Sequence, residues 1–133
     1  MSDTETLSWS VLMGLFADDG VLIRDADIRV NDGNILHAFV FKAILQHFKA
    51  AYRQNDYTER DGDIWFLLPY ESWAENYEMT VPKLKRIVNE IANRKLLKKR
   101  IMLVEGVTYL HLTLDENAYR QRLAQVLLQP RKE

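Results

Sequence analysis

The apolar residues of positions 35–53 recur with the spacing of an α-helix and cover most of its circumference. Only a narrow stripe of this helix is polar, at Lys42, Gln46, Lys49 and Arg53. The surrounding apolar positions are Phe39, Val40, Phe41, Ile44, Leu45, Phe48 and Tyr52. Because such a helix has to be covered on several sides, the pattern predicts either the central helix of a core or a helix in a dimer interface.

A short strand and two further helices are predicted next. Residues 61–63 form a turn, and the apolar run at 64–68 ends before a proline, which is typical of a short buried strand. Residues 70–77 are predicted as a short helix. Thr80 is a good N-cap and Pro82 suits a first helical turn, so another helix begins near residue 81 and continues to about residue 95. Its apolar face is formed by Leu84, Ile87, Val88 and Ile91.

A hairpin and a last helix complete the pattern. Residues 97–104 and 107–113 are β-prone and are joined by Glu105-Gly106, which is typical of a tight two-residue turn. The segment from Thr113 to Glu116 has the Thr-x-x-Glu form of a capping box, which predicts the start of the last helix. That helix carries the apolar residues Ala118, Leu123, Val126 and Leu127.

The first 34 residues have a weaker pattern. Residues 8–16 have helical spacing, with Trp9, Leu12, Met13 and Phe16 as the apolar positions. Residues 21–24 are expected to be extended and to pair with residues 27–30, before a turn at 31–34. We therefore expect residues 1–34 to form an N-terminal extension that packs on or flanks a domain of residues 35–133.

The order of these elements is that of a winged helix-turn-helix. It consists of a long helix, a short strand, a short helix, a tight turn, a helix, a hairpin and a final helix. In this arrangement the second helix of the pair enters the major groove of DNA and the hairpin lies beside it. The sequence therefore predicts an α+β protein, mostly helical, with a winged helix-turn-helix and a small β-hairpin wing.

Residues suited to DNA lie opposite the apolar face of the helix that begins near residue 81. Arginine can pair with guanine and asparagine with adenine in two-point contacts, whereas lysine mainly binds phosphates. Further basic residues follow at the end of the helix and the start of the wing. The candidate DNA-binding residues are Thr80, Lys83, Lys85, Arg86, Asn89, Asn93, Arg94, Lys98, Lys99 and Arg100. An ordinary solvated helix face has similar residues, and Glu90 would repel a nearby phosphate.

Charge is divided unevenly along the chain, whose net charge is −1. Residues 1–79 contain six Lys and Arg against fourteen Asp and Glu, a net −8, and residues 80–133 contain twelve against five, a net +7. This asymmetry favours a basic surface for a polyanion in the second half, with an acidic part in the first half that shields it, regulates it or contacts a partner. Ordinary surface charge on two sides of one domain is the alternative.

Three segments also carry a family resemblance. Residues 65–77, 80–87 and 96–99 resemble the winged-helix module of phage and plasmid replication-initiation proteins, with Tyr109 matching a wing tyrosine. The resemblance covers about residues 35–114 and implies binding of double-stranded DNA through Lys83, Lys85, Arg86, Asn89 and Asn93. The chain departs from the family's pattern in two respects: residues 94–96 contain no glycine, and no helicase-contacting or ATPase domain follows. A loader role is therefore not implied.

Several function classes are not supported by the residue inventory. The chain has no cysteine, which excludes disulfides and thiolate chemistry. The histidines His37, His47 and His111 lie far apart and match no metal-binding spacing, so we expect no metal, no cofactor and no enzymatic activity. A polar, acidic beginning and the lack of a run of about 20 apolar residues predict a cytoplasmic protein without a membrane segment.

Two hypotheses of function follow. The first is a double-stranded DNA-binding protein of phage or plasmid replication or transcription control, with a homodimer formed through the last helix or the N-terminal region as an option. The second is a winged helix that binds a protein, such as a phage-encoded inhibitor or adaptor that contacts a host or replication protein through its acidic N-terminal half. Convergence of the basic residues 83–100 on one unobstructed face would favour the first.

Overall fold

The structure of the protein, a computed structural model, describes residues 21–129. This part of the chain is an α+β fold that is 53% helical, with five helices and one antiparallel sheet of four strands. The helices are α1 (Asp25–Val30), α2 (Ile35–Arg53), α3 (Tyr70–Asn76), α4 (Val81–Asn93) and α5 (Glu116–Leu128). The strands are β1 (Thr58–Arg60), β2 (Asp63–Leu67), β3 (Leu97–Val104) and β4 (Val107–Leu114).

The sheet is built from two hairpins that meet in its middle. The strand order is β1-β2-β4-β3, so β2 and β4 are central and β3 forms one edge. Phe66 of β2 lies opposite Leu112 of β4, and both face the helices. Asp61 and Glu105 have φ angles of 52° and 49° and each precedes a glycine with positive φ, which is the backbone of the two-residue hairpin turn.

Helix α2 is the centre of the core, which confirms the helix predicted over residues 35–53. Ten of its nineteen residues are buried, including residues on nearly every side of the helix. The Phe48 ring stacks on that of Phe66 in β2 with 4.4 Å between centroids. The Phe41 ring meets the edge of Tyr119 in α5 at 5.5 Å. The helix therefore joins the sheet to α5.

Helices α3 and α4 are fixed to α2 by different contacts. The ring of Tyr77, just after α3, makes edge contacts with Phe39 of α2 and with Trp73 of α3. Helix α4 buries the four apolar residues named in its predicted face, and Thr80 is its N-cap, with the side-chain oxygen accepting from the Lys83 amide at 3.2 Å. The predicted short helix, tight turn and capped helix are all confirmed.

The segment before α2 differs from expectation. Residues 21–24 do not pair with 27–30, because Asp25–Val30 is helix α1. The Asp27 carboxylate accepts from the Arg24 amide at 2.8 Å, which satisfies a free N–H group at the helix start. Helix α1 packs against α5 and α2, and Val30 is buried. The helix predicted at residues 8–16 lies outside the described residues.

Two smaller expectations also change. Thr113 does not cap the last helix, because it is a buried residue of β4, and Asp115 instead accepts from the Ala118 amide at 3.2 Å. Strand β1 was not predicted, since Thr58, Glu59 and Arg60 are polar and partly or fully exposed. The two strands predicted at 97–104 and 107–113 are confirmed.

A network of ion pairs links three distant parts of the chain. Asp32, in the turn between α1 and α2, accepts from Arg94 Nε at 2.8 Å and from Arg122 of α5. Arg122 also donates to the carbonyl of Val30. Because Arg94 donates to its carboxylate and both arginines carry positive charge, the pKa of Asp32 is lowered below its ordinary value. Asp32 thus ties the end of α4 and α5 to the α1–α2 turn.

We expect Leu84→Ala to lower the free energy of unfolding by about 2–5 kcal/mol, because Leu84 is fully buried and its loss leaves a cavity in the core. The matched substitution Leu127→Ala removes the same atoms from a side chain that is 66% exposed and is expected to change stability by less than about 0.5 kcal/mol. Urea denaturation followed by circular dichroism measures both. Equal losses in the two variants would contradict the described core.

We expect Asp32→Asn to lower stability at pH 7 by about 1 kcal/mol, a modest value because the side chain is more than half exposed. Asparagine tolerates the φ of 58° at this position, so the substitution removes mainly the charge. Since the pKa of Asp32 is lower in the folded protein, its contribution is present above about pH 4 and is lost as the pH falls further. Urea denaturation should therefore show the difference between the proteins at pH 7 and show it shrinking below pH 4. The exposed Asp56→Asn serves as the control, and an equal effect from it would refute the role of the network.

Candidate nucleic-acid interface

Helix α4 presents one face to the core and the opposite face to solvent. The side chains of Leu84, Ile87 and Ile91 are buried, and the residues between them are turned outward by the 100° rotation per residue. All five predicted polar and basic residues of the outer face are exposed: Lys83, Lys85, Arg86, Asn89 and Asn93. The helical pattern in the sequence is sufficient to bring them together.

The beginning of α4 is favourable for an anion. Its first turn contains no acidic residue, so the partial positive charge of the helix N-terminus is not offset there. Thr80 is exposed, but its side-chain oxygen is used by the Lys83 amide, so Thr80 shapes the start of the helix. Lys85 Nζ lies 5.6 Å from the centre of the Tyr70 ring, which holds this cation beside α3.

Glu90, the one carboxylate within α4, is held by a histidine of α2. His37 Nε2 lies 2.9 Å from Glu90 Oε2, and Arg94 Nη1 lies 2.9 Å from His37 Nδ1. Because arginine can only donate, Nδ1 accepts and the proton resides on Nε2, which donates to Glu90. Burial first and the charge of Arg94 second lower the pKa of His37, so this ring is neutral at pH 7. The carboxylate is therefore bound on the α2 side of α4.

The basic run at residues 98–100 is divided between the two faces of the sheet. Lys99 lies opposite Leu112, on the face that carries the helices, and its Nζ donates to Asn89 Oδ1 at 2.7 Å. Lys98 and Arg100 point to the other face, since successive strand residues alternate. Their partners there are acidic residues at the β1–β2 turn, with Lys98 Nζ 3.0 Å from Asp63 and Arg100 Nη1 2.7 Å from Asp61.

The candidate site is therefore smaller than the set predicted from sequence. Arg94 is committed to Asp32 and His37, and its side chain is only 16% exposed. The structure thus brings six predicted residues together and places Arg94, Lys98 and Arg100 elsewhere, against carboxylates. The six that share the outer face of α4 and the adjoining strand are Lys83, Lys85, Arg86, Asn89, Asn93 and Lys99.

The β3–β4 hairpin carries a feature that sequence reasoning missed. Ile101 and Leu103 are 72% and 65% exposed, on the same sheet face as Lys99. Val107 and Tyr109 are also exposed, on the opposite face, and Glu105 lies at the tip. The two-residue period of a strand was a usable signal, because it places Ile101 and Leu103 on the same face as the charged Lys99. From Ile101 to Tyr109 the hairpin has no lysine or arginine, so this outer part offers no cation to a DNA groove.

Neither a metal centre nor a membrane-spanning helix is found between residues 21 and 129. No group of three or more histidine, aspartate or glutamate side chains there could hold a metal ion. No helix in the same range is long and apolar enough to cross a bilayer. A scan against models of known protein families found no match, and neither did searches of curated proteins and of solved structures.

Proposed function

We propose that the protein binds double-stranded DNA through α4, used as the recognition helix of a winged helix-turn-helix made by α3, α4 and the β3–β4 hairpin. The observation that carries this proposal is the outer face of α4, where three lysines and an arginine surround two asparagines on an exposed surface. The only carboxylate within the helix is bound by His37. A basic face of this composition supports contact with the DNA backbone and with base edges.

The spacing on α4 supports a division of roles. Arg86, Asn89 and Asn93 lie at intervals of three and four residues, so they form one row along the helix. A row of this kind presents an arginine and two amides to the base edges of a major groove about 12 Å wide. Lys83, Lys85 and Lys99 flank the row at positions suited to phosphates.

The Lys99–Asn89 hydrogen bond gives this surface a preset arrangement. This hydrogen bond joins β3 to Asn89, the middle residue of the row on α4. Both side chains are exposed, so water or DNA can replace the bond. We infer that Asn89 is freed for a base when Lys99 moves to a phosphate. A cytoplasmic role in phage or plasmid replication or transcription control is part of the proposal and rests on the sequence resemblance alone.

A second candidate function, a protein-binding winged helix, is supported by a specific observation. Three of the predicted basic contacts are neutralised within the chain, by Asp32, Asp61 and Asp63. The outer part of the wing exposes Ile101, Leu103, Val107 and Tyr109, and an exposed apolar patch is typical of a surface that binds another protein. An inhibitor or adaptor that contacts a host protein would bind no duplex at low salt, which separates it from the first proposal.

Fluorescence anisotropy of a mixed-sequence duplex tests the DNA proposal. We expect binding that weakens as salt increases, and a loss of about tenfold or more in Arg86→Ala, because an arginine on base edges contributes about 1–3 kcal/mol. Arg60→Ala is the matched control, since Arg60 is exposed on β1 at the opposite edge of the sheet from β3. Absence of binding by the folded protein at low salt, or an equal loss in the control, would refute the proposal and favour a protein partner.

The divided basic run leads to a separate expectation. Lys83→Ala should weaken binding and reduce the slope of log affinity against log salt by about 1, because a phosphate contact is lost. Lys98→Ala should leave that slope unchanged, since the Lys98 ammonium is held by Asp63 on the other face of the sheet. Titrations at several salt concentrations measure both slopes. A decrease of the slope in Lys98→Ala would place the DNA across the wing instead of along α4.

A further inference from the structure

Strand β3 is an exposed sheet edge that its own sequence protects over only half of its length. It has eight residues and ends the sheet, so no strand formed by residues 21–129 lies beside one side of its backbone. Charged residues protect an edge against pairing with other chains, and β3 has three of them at positions 98–100. The second half, from Ile101 to Val104, has none.

The hairpin turn determines which backbone groups of β3 are free. In a two-residue turn the flanking pair, here Val104 and Val107, exchanges hydrogen bonds across the hairpin. Bonding then alternates along the strand, so Met102 bonds to β4 as Val104 does. The N–H and C=O groups of Ile101 and Leu103, and those of Lys99, point away from the hairpin to the open edge.

The residues on either side of Met102 form a self-complementary series, which ends at Lys99 within the strand and at Glu105 in the hairpin turn. Counting from Met102 in both directions, the flanking residues are Ile101 and Leu103, and the charges beyond them are Lys99 and Glu105. A second copy of the strand placed antiparallel, with its Met102 opposite this one, brings Ile101 opposite Leu103 twice. The same register brings Lys99 of each copy close to Glu105 in the hairpin turn of the other, so two pairs of opposite charges attract each other.

We propose that the protein forms a two-fold dimer in which the β3 edges of two copies pair antiparallel about Met102, extending the sheet across both. The dimer pairs the free backbone groups and covers part of the side chains of Ile101 and Leu103, which are 72% and 65% exposed in the single chain. A shift by two residues, with Ile101 opposite itself, leaves Lys99 opposite Leu103 and both charges without a partner. The charges therefore select the register centred on Met102.

The symmetry of this dimer has a geometric consequence. The two-fold axis of an antiparallel pair within one sheet is perpendicular to the sheet, so the same face of each copy lies on the same side. Helix α4 packs on the Lys99 face of β3. Both α4 helices therefore lie on one side of the joined sheet. The dimer itself does not depend on DNA binding, and it is measured without DNA. In the dimer Lys99 pairs with Glu105 of the other copy, which leaves Lys83 and Lys85 as the lysines for phosphates.

Sedimentation velocity over the micromolar range tests the dimer directly. We expect a concentration-dependent dimer, abolished by Ile101→Lys, a change at an exposed position that circular dichroism should show to leave the fold intact. A protein that is monomeric throughout this range overturns the proposal. So does a dimer that persists in the folded Ile101→Lys variant, because the interface then lies elsewhere.

Charge reversal tests the register. Lys99→Glu and Glu105→Lys alone each convert two attractive pairs into two repulsive ones, and we expect each to weaken dimerisation about tenfold. The double variant Lys99→Glu/Glu105→Lys restores opposite charges and should return to within about threefold of the original affinity. Arg60→Glu makes the same change on the exposed β1 edge and should have no effect. Failure of the double variant to recover overturns the pairing about Met102.

Amide hydrogen exchange identifies the atoms involved. The amides of Ile101 and Leu103 should become protected as the protein concentration rises, whereas those of Met102 and Val104 should be protected at every concentration by β4. Protection of Ile101 and Leu103 that does not depend on concentration would mean that another segment of the same chain covers the edge. That result overturns the dimer.

Discussion

The burial of α2 on nearly all of its sides is the constraint on which the other elements depend. One face receives the sheet through the stacked rings of Phe48 and Phe66, and another receives α5 through Phe41 and Tyr119. Because α2 cannot leave an apolar side in water, the sheet and the helices α1, α3, α4 and α5 have to surround it. The outer face of α4 is exposed as a result, since only its apolar side is needed to cover α2.

Long helices and tight turns could be predicted from the sequence because their signals are local. The bounds of α2 follow from a continuous apolar pattern, the turn before β2 follows from Asp61-Gly62, and the β3–β4 hairpin follows from Glu105-Gly106. Helix α1 was predicted as a strand because a six-residue segment is too short to separate the two periods. Strand β1 has no apolar alternation and exists because β2 pairs with it.

The candidate site was predictable on α4 and much less so on β3. Helical spacing alone places Arg86, Asn89 and Asn93 in one exposed row. In the sequence, the run from Lys98 to Arg100 resembles a single basic patch. In a strand, successive residues point to opposite faces, so the run is divided between two surfaces. Its acidic partners are 35 and 39 residues away, so nothing in the local sequence indicates that they neutralise it.

The ion pairs around Asp32 hold α4 in place through residues that lie outside its proposed DNA-binding surface. Asp32 holds Arg94 at the end of α4, and it also holds Arg122 of α5. The angle at which α4 stands is therefore set partly by residues of the α1–α2 turn and of the last helix. Under the proposed function, a genetic screen for variants that no longer bind DNA should return changes at Arg122, although that residue lies on another helix and belongs to no predicted contact. Such variants would identify residues that fix the orientation of α4. Without the structure they would be mistaken for residues that contact DNA.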